Sequence, residues 1–304
     1  MTKNKATCVI WSPADVEACK LYIGTRCLAK LSKMCSKRWR KSSKWLNSVS
    51  LQTFSKSVAA ALPDRITIIS DPRILTYKEL DEYSSRIAAG LSARGIGGGD
   101  HIGLYLRNCV EYLEMFLATV KLRAVPFNVN YRYRGEELKY LFENGDAAVI
   151  VHSREFAPIL DEIEQLLPKM HLRVAVEDGS DVNLGSSVSY KELVAEQPLA
   201  VAEQSEGDAT LLYTGGTTGL PKGVIWPHKA FFFACLGGGG NFHKAGPCVT
   251  PNDIVEKATG GFGLRMFTVA PLMHGAAIWA AWSALVGGLT LVLDTSRFFD
   301  AERV

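Results

Sequence analysis

One stretch of this 304-residue chain limits its fold more than any other. An apolar run over residues 209–213 leads into Thr214-Gly215-Gly216-Thr217-Thr218-Gly219-Leu220-Pro221-Lys222-Gly223, and a second run, Val224-Ile225-Trp226, leads out. Four glycines, three threonines and one lysine fall within ten residues. Glycine lets backbone N–H groups approach an anion because no Cβ stands in the way. Threonine hydroxyls add donors and lysine adds a point charge. Together these groups suit a polyphosphate. A flexible linker would lack the fixed Pro-Lys-Gly and the apolar flanks. The spacing is not that of a Walker A loop, because only two residues separate Gly219 from Lys222 and glycine follows the lysine. No G-x-G-x-x-G dinucleotide fingerprint is present either.

Elsewhere strand-like and helix-like segments alternate. A capping box, Thr76 with Glu79, opens a helix whose apolar face is Leu80, Tyr83, Ile87 and Leu91, and Gly95 closes it. Strands are expected at 101–106, 124–130, 147–152 and 172–176. Helices are expected at 110–122, 135–144, 154–167 and 190–196. Such alternation means a mostly parallel sheet with helices on its faces. Ala147-Ala148-Val149-Ile150-Val151 is apolar throughout, as a strand buried on both faces should be.

Residues 266–293 contain no Asp, Glu, Lys or Arg. A membrane span is one reading. Pro271, His274, Gly275, Gly287 and Gly288 divide the stretch, however, and favour strand, turn, buried helix over 276–286, and strand. No transmembrane span is therefore expected. Gly237 to 240 read as a mobile loop. His228, after Trp226-Pro227, reads as a helix-start residue.

Charge divides the chain unevenly. Residues 1–46 carry +9 and the remainder −6, so the +3 total hides a basic extension on a mildly acidic body. Residues 1–50 read as a basic, Cys/Lys-rich, disordered extension. Peripheral contact with an anionic membrane surface is the alternative role for them. No nucleic-acid partner is expected from the body. The seven cysteines match no C-x2-C spacing, which argues against a zinc site and for a reducing compartment, so a cytoplasmic location is expected.

The ten residues 214–223 match at every position the phosphate-loop pattern [ST]-[SG]-G-[ST]-[TS]-G-x-P-K-G. On them the chain resembles the adenylate-forming superfamily: acyl-CoA synthetases, luciferases and peptide-synthetase adenylation domains. Leu75-Thr76-Tyr77-Lys78-Glu79-Leu80 is similar to that family's first motif. Residues 121–133, with Val125-Pro126-Phe127-Asn128 and Asn130-Tyr131-Arg132-Tyr133, resemble its second. Capping and core packing account for those two without chemistry. The second is nearest in wording to synthetases acting on fatty acids and steroid side chains. Pro271-Leu272-Met273-His274 resembles the fourth motif.

The resemblance implies an α/β fold: the N-terminal large domain of adenylate-forming enzymes, with mostly parallel sheets flanked by helices in two subdomains. Residues 51–207 would form the first subdomain. Residues 208–304 would hold the phosphate loop and an incomplete second one. The implied activity is that of an ATP-dependent acyl-CoA synthetase, with ATP, Mg2+ and CoA required and a carboxylic acid as substrate. Thr214, Gly215, Gly216, Thr217, Thr218, Gly219, Pro221 and Lys222 would bind ATP. His274 would be the catalytic gate, or alternatively a core residue. No metal ligand is assigned. The family's later Y-G-x-[ST]-E and Y-x-T-G-D motifs and mobile C-terminal domain do not occur in these 304 residues. A truncated, inactive chain is thus expected, with a non-catalytic nucleotide- or acyl-binding remnant as the alternative.

Overall fold

The computed structural model describes residues 50–195, 197–199, 207–216, 219–239, 247–248, 250–260, 263–297 and 302. The basic extension over 1–46 lies outside them. The chain is α/β. It opens with α1 (Leu51–Ala61), β1 (Ile66–Ser70), β2 (Arg73–Thr76), α2 (Tyr77–Ser92), β3 (His101–Tyr105), α3 (Val110–Lys121), β4 (Val125–Asn128), α4 (Gly135–Asn144) and β5 (Ala147–Ser153). Then follow α5 (Ala157–Asp161), β6 (Leu172–Val176), β7 (Val188–Ser189), α6 (Tyr190–Leu193), β8 (Ala209–Gly216), β9 (Gly219–Pro227) and α7 (His228–Ala230). The last elements are α8 (Pro251–Thr259), β10 (Arg265–Phe267), α9 (Gly275–Val286) and β11 (Thr290–Val292).

Two sheets form among the described residues. The seven-stranded one runs β7-β6-β5-β3-β4-β8-β9 and the four-stranded one β10-β11-β1-β2. Pairing is parallel except for the hairpins β1–β2 and β8–β9. Sheet membership does not follow chain order, since β1 at the start pairs with β11 at the end.

The core explains the layering. All seven residues of β5 are buried. Val149 and Val151 face one apolar cluster and Ile150 the other, so both faces of the large sheet are covered. Helix α3 is buried along eleven of its twelve positions, as suits a helix between two sheets. Each fully buried apolar side chain there, such as Met115 or Leu117, stabilises the fold by about 2 kcal/mol. The Thr76–Glu79 capping box forms as expected: Thr76 Oγ1 accepts from Glu79 N–H at 3.2 Å, and the Glu79 carboxylate accepts from Thr76 N–H at 2.7 Å. Those bonds hold the Glu79 carboxyl below its ordinary pKa.

Two expectations change. The helix over 154–167 is broken into a 3-10 turn (Arg154–Phe156), the short α5 and a second 3-10 turn (Glu164–Leu166). Pro158 has no N–H to offer the carbonyl four residues back, so a continuous helix cannot start at 154. The buried Arg173 then gathers Ala157 O, Asp161 and Glu164 at 3.1, 2.6 and 2.9 Å. The glycines expected as a mobile loop are packed where described. Gly237, Gly238 and Gly239 all have positive φ, and a Cβ on Gly238 would lie 2.8 Å from Phe233 Cδ1. Gly240 lies outside the described residues.

The 266–293 stretch is the strand, turn, helix and strand expected of it. At 12 residues, α9 is about 18 Å long, short of the ~30 Å hydrocarbon core. Among the described residues no helix is long and apolar enough to cross a membrane.

Gly90 shows how closely the layers meet. A Cβ there would sit 1.7 Å from Leu193 O, so α2 passes against the end of α6 with no room for a methyl group. Helix propensity alone favours Gly90→Ala by about 1 kcal/mol. The clash costs about 2–3 kcal/mol and should win. Urea denaturation is expected to report a net loss; a gain in stability would mean that α6 moves aside freely.

Candidate functional site

The Gly/Thr-rich residues 214–223 form the far end of the β8–β9 hairpin. Thr214 pairs with Lys222, and Gly216 with Gly219. Thr217 and Thr218 lie outside the described residues. Thr214, Gly215, Gly219 and Lys222 are exposed, while Pro221 is buried. A Cβ on Gly215 or Gly219 would meet nothing within 4 Å, so open space adjoins both. Gly223 has a different purpose: a Cβ there would strike Leu211 Cδ1 and Tyr213 Cζ at 2.9 Å. It lets the two strands close over the Tyr213 ring.

The base of the hairpin is held firmly while its end is exposed. Tyr213 Oη donates to Asn144 Oδ1 at 2.7 Å, and Tyr140 Oη donates to Pro221 O at 3.2 Å. Helix α4 therefore grips both strands. At the opposite end His228 N–H donates to Asp208 O at 2.9 Å, closing the chain after β9. The His228 ring is buried, with Ser50 Oγ 3.4 Å from Nδ1. Burial drives its pKa down to about 4, so it stays neutral. It opens α7 as expected and lies in the core rather than at the loop.

His274 sits at the N-cap position of α9, makes no capping bond with its side chain, and is exposed. Its N–H donates to Pro271 O at 2.9 Å, which folds residues 271–274 into a turn. Partial desolvation, then the charge of Arg132, hold its pKa below the ordinary histidine value. It is thus a neutral imidazole at physiological pH, able to accept or donate one hydrogen bond.

One asparagine joins β8 to the turn and a second holds the turn alone. Asn128, at the end of β4, accepts from Tyr213 N–H at 2.7 Å and donates to Tyr213 O at 3.0 Å and Met273 O at 2.6 Å. Asn108 accepts from Leu272 N–H at 2.7 Å and donates to Asp294 O at 3.3 Å. Thr214 and His274 are each one residue beyond a backbone carbonyl held by the same carboxamide. Neither asparagine is among the sequence-derived site residues. The available signal was a polar residue inside the apolar run over 124–129, at the carboxyl end of a strand, where α/β sheets place ligands. Among the described residues no group of three or more His, Cys, Asp or Glu could hold a metal ion.

A sequence profile of the family described as AMP-binding enzyme matches residues 55–304. The medium-chain acyl-CoA ligase Mig of Mycobacterium avium is 37% identical over 269 residues, covering 82% of this chain and 48% of that protein. The 3-oxocholest-4-en-26-oate–CoA ligase of Rhodococcus rhodochrous is 34% identical over 236 residues, covering 76% and 42%. The chain thus spans about half the length of these relatives. Among solved structures, apo MbtA of Mycobacterium smegmatis superposes with a TM-score of 0.69 at 22% identity, covering 88% of this chain and 47% of that one. At that identity the likeness is one of fold.

Proposed function

The chain belongs to the AMP-binding enzyme family, and from that premise we propose that it is the ATP-binding part of an acyl-CoA synthetase. A carboxylate is a poor acyl donor because its leaving group would be oxide. Its oxygen attacks the α-phosphorus of ATP, the bond to the β-phosphate oxygen breaks, and pyrophosphate leaves. The CoA thiolate then attacks the acyl carbon and AMP departs with the bonding electrons. The first step requires charge stabilisation on phosphate more than proton transfer. Thr214, Gly215, Gly216, Thr217, Thr218 and Gly219 hold the β- and γ-phosphates. Pro221 fixes the outgoing strand and Lys222 supplies positive charge. His274 gates the acyl group. Mg2+ would come with the polyphosphate and would supply charge neutralisation there; among the described residues no carboxylate cluster is placed to hold it.

The observation carrying this reading is the exposed Gly/Thr/Lys hairpin end standing beside the His274 turn on a base held by α4 and Asn128. The relatives' names support medium-chain fatty or steroid side-chain acids as substrates. The thiols of Cys109 and Cys248, which are in no disulfide, fit a cytoplasmic setting. The +9 segment over 1–46 is the part available for peripheral membrane contact.

Calorimetric titration with ATP and AMP tests the reading. ATP is expected to bind, and Lys222→Ala to weaken it about tenfold, the worth of one charge-assisted contact, with AMP little changed. Acid-dependent ATP–pyrophosphate exchange separates a ligase from a chain that only binds nucleotide. ATP binding indifferent to Lys222→Ala would remove the hairpin from the site.

A further inference from the structure

Asn128 uses one carboxamide to hold two parts of the site that are 60 residues apart in sequence, Tyr213 and Met273. The parallel β4–β8 pairing registers Phe127 opposite Leu211 and goes no further. At Tyr213 the Asn128 side chain takes over the ladder, offering an acceptor to the N–H and a donor to the carbonyl, as a peptide unit would. The second amide hydrogen reaches Met273 O. The orientation of the carboxamide is not arbitrary, because a flipped group would set its NH2 against Tyr213 N–H. At 8% exposure the amide has little water to replace those partners. The contact is tight from the other side as well: a Cβ on Gly275 would lie 2.9 Å from Leu212 Cδ2, so the start of α9 rests on β8.

We propose that Asn128 is a positioning residue that locks the phosphate loop to the His274 turn, so that the nucleotide and acyl halves of the site hold one relative geometry. Its purpose rests on the acid-activation reading above, while its geometry does not. The two arms of the amide differ in reach, since the NH2 bonds both Tyr213 O and the turn while the oxygen bonds β8 alone. The oxygen holds β8 through Tyr213 N–H. The NH2 group holds the His274 turn through Met273 O. Asn108 provides an internal comparison, since its oxygen holds the same turn through Leu272 N–H without touching β8.

The experiment is NMR on the full chain, reading Tyr213 amide exchange and the His274 ring resonances, alongside ATP titration. In Asn128→Ala, Tyr213 exchange should rise about tenfold, the His274 signals should shift, and ATP should weaken about tenfold. In Asn128→Asp the acceptor remains and both donors are lost. Tyr213 should then stay protected within about threefold while His274 still shifts. Asn108→Ala should shift His274 and leave ATP affinity within about twofold. The proposal is overturned if Asn128→Asp leaves His274 unmoved, or if Asn128→Ala leaves Tyr213 protection unchanged. Should the unmodified chain not bind ATP, the functional reading fails. The exchange and His274 signals still decide the linkage, and Asn128→Asp does so even if the alanine variant fails to fold.

Discussion

Arg73→Ala is expected to cost about 3 kcal/mol of stability, because it strands a buried carboxylate. Arg73, at the start of β2, donates to Glu111 Oε1 at 2.7 Å and to Glu114 Oε1 at 2.6 Å. Glu114 lies inside α3 with its side chain fully buried, and Tyr190 Oη donates to its other oxygen. Burial pushes the Glu114 carboxyl up, and Arg73 and then Tyr190 pull it back. Removing one partner of a buried pair costs about 3–5 kcal/mol, and the one-third exposure of Arg73 favours the lower end. The loss should itself depend on pH. Without Arg73 the folded-state pKa of Glu114 rises further above its unfolded value. The folded chain then holds a proton that the unfolded chain releases, so stability falls as pH rises from the unfolded value through the folded one. Urea denaturation at pH 5 should therefore show a smaller deficit than at pH 7. Adding Glu114→Gln should recover most of the loss at pH 7. A deficit below about 1 kcal/mol, flat with pH, would show that water reaches the carboxylate.

The second large effect is acid destabilisation through His152 and His228. Both are buried, and burial lowers each pKa to about 4. His152 sits in β5, with Ser153 O 2.9 Å from Nδ1 and Ser187 Oγ 2.8 Å from Nε2. Nearby Arg173 lowers its pKa further, while Asp161 and Asp178 oppose that; Asp208 does the same for His228. In the unfolded chain each ring gains its proton near the ordinary histidine value of 6.5. The folded chain gains it only near 4. Stability is thus fully present above about pH 6.5, lost as pH falls, and level again below about 4. Between pH 6.5 and 5 the loss is about 2 kcal/mol per histidine, and across the whole window about 3. His152→Asn and His228→Asn should each remove about half of that slope, whatever their effect at pH 7. Slopes that match the unmodified chain would mean the rings are already protonated when folded.

Much of the architecture was legible from short-range pattern. The capping box at Thr76, α4 over Gly135–Asn144 and β6 over Leu172–Val176 appear as read, because each follows from residues within one or two turns of one another. The break in the helix over 154–167 is local as well, because Pro158 lies inside that segment. Family membership was legible too, since the ten residues 214–223 that carry the resemblance are contiguous in the chain.

Other features depend on which strands become neighbours. Nothing local says that the loop lies at the end of an antiparallel hairpin against a parallel strand. Nor does it say that Asn128 meets Tyr213 and Met273, 85 and 145 positions away. The same holds for Glu114 with Tyr190, and for Ser50 with His228. Residue type and periodicity dictate how a segment folds and what it can bind, because those are short-range steric and solvation effects. Which polar groups share a buried bond is a matter of packing two sheets around α2 and α3. There a carboxamide or carboxylate takes a partner that the closed core leaves within reach, since burying one unpaired is costly.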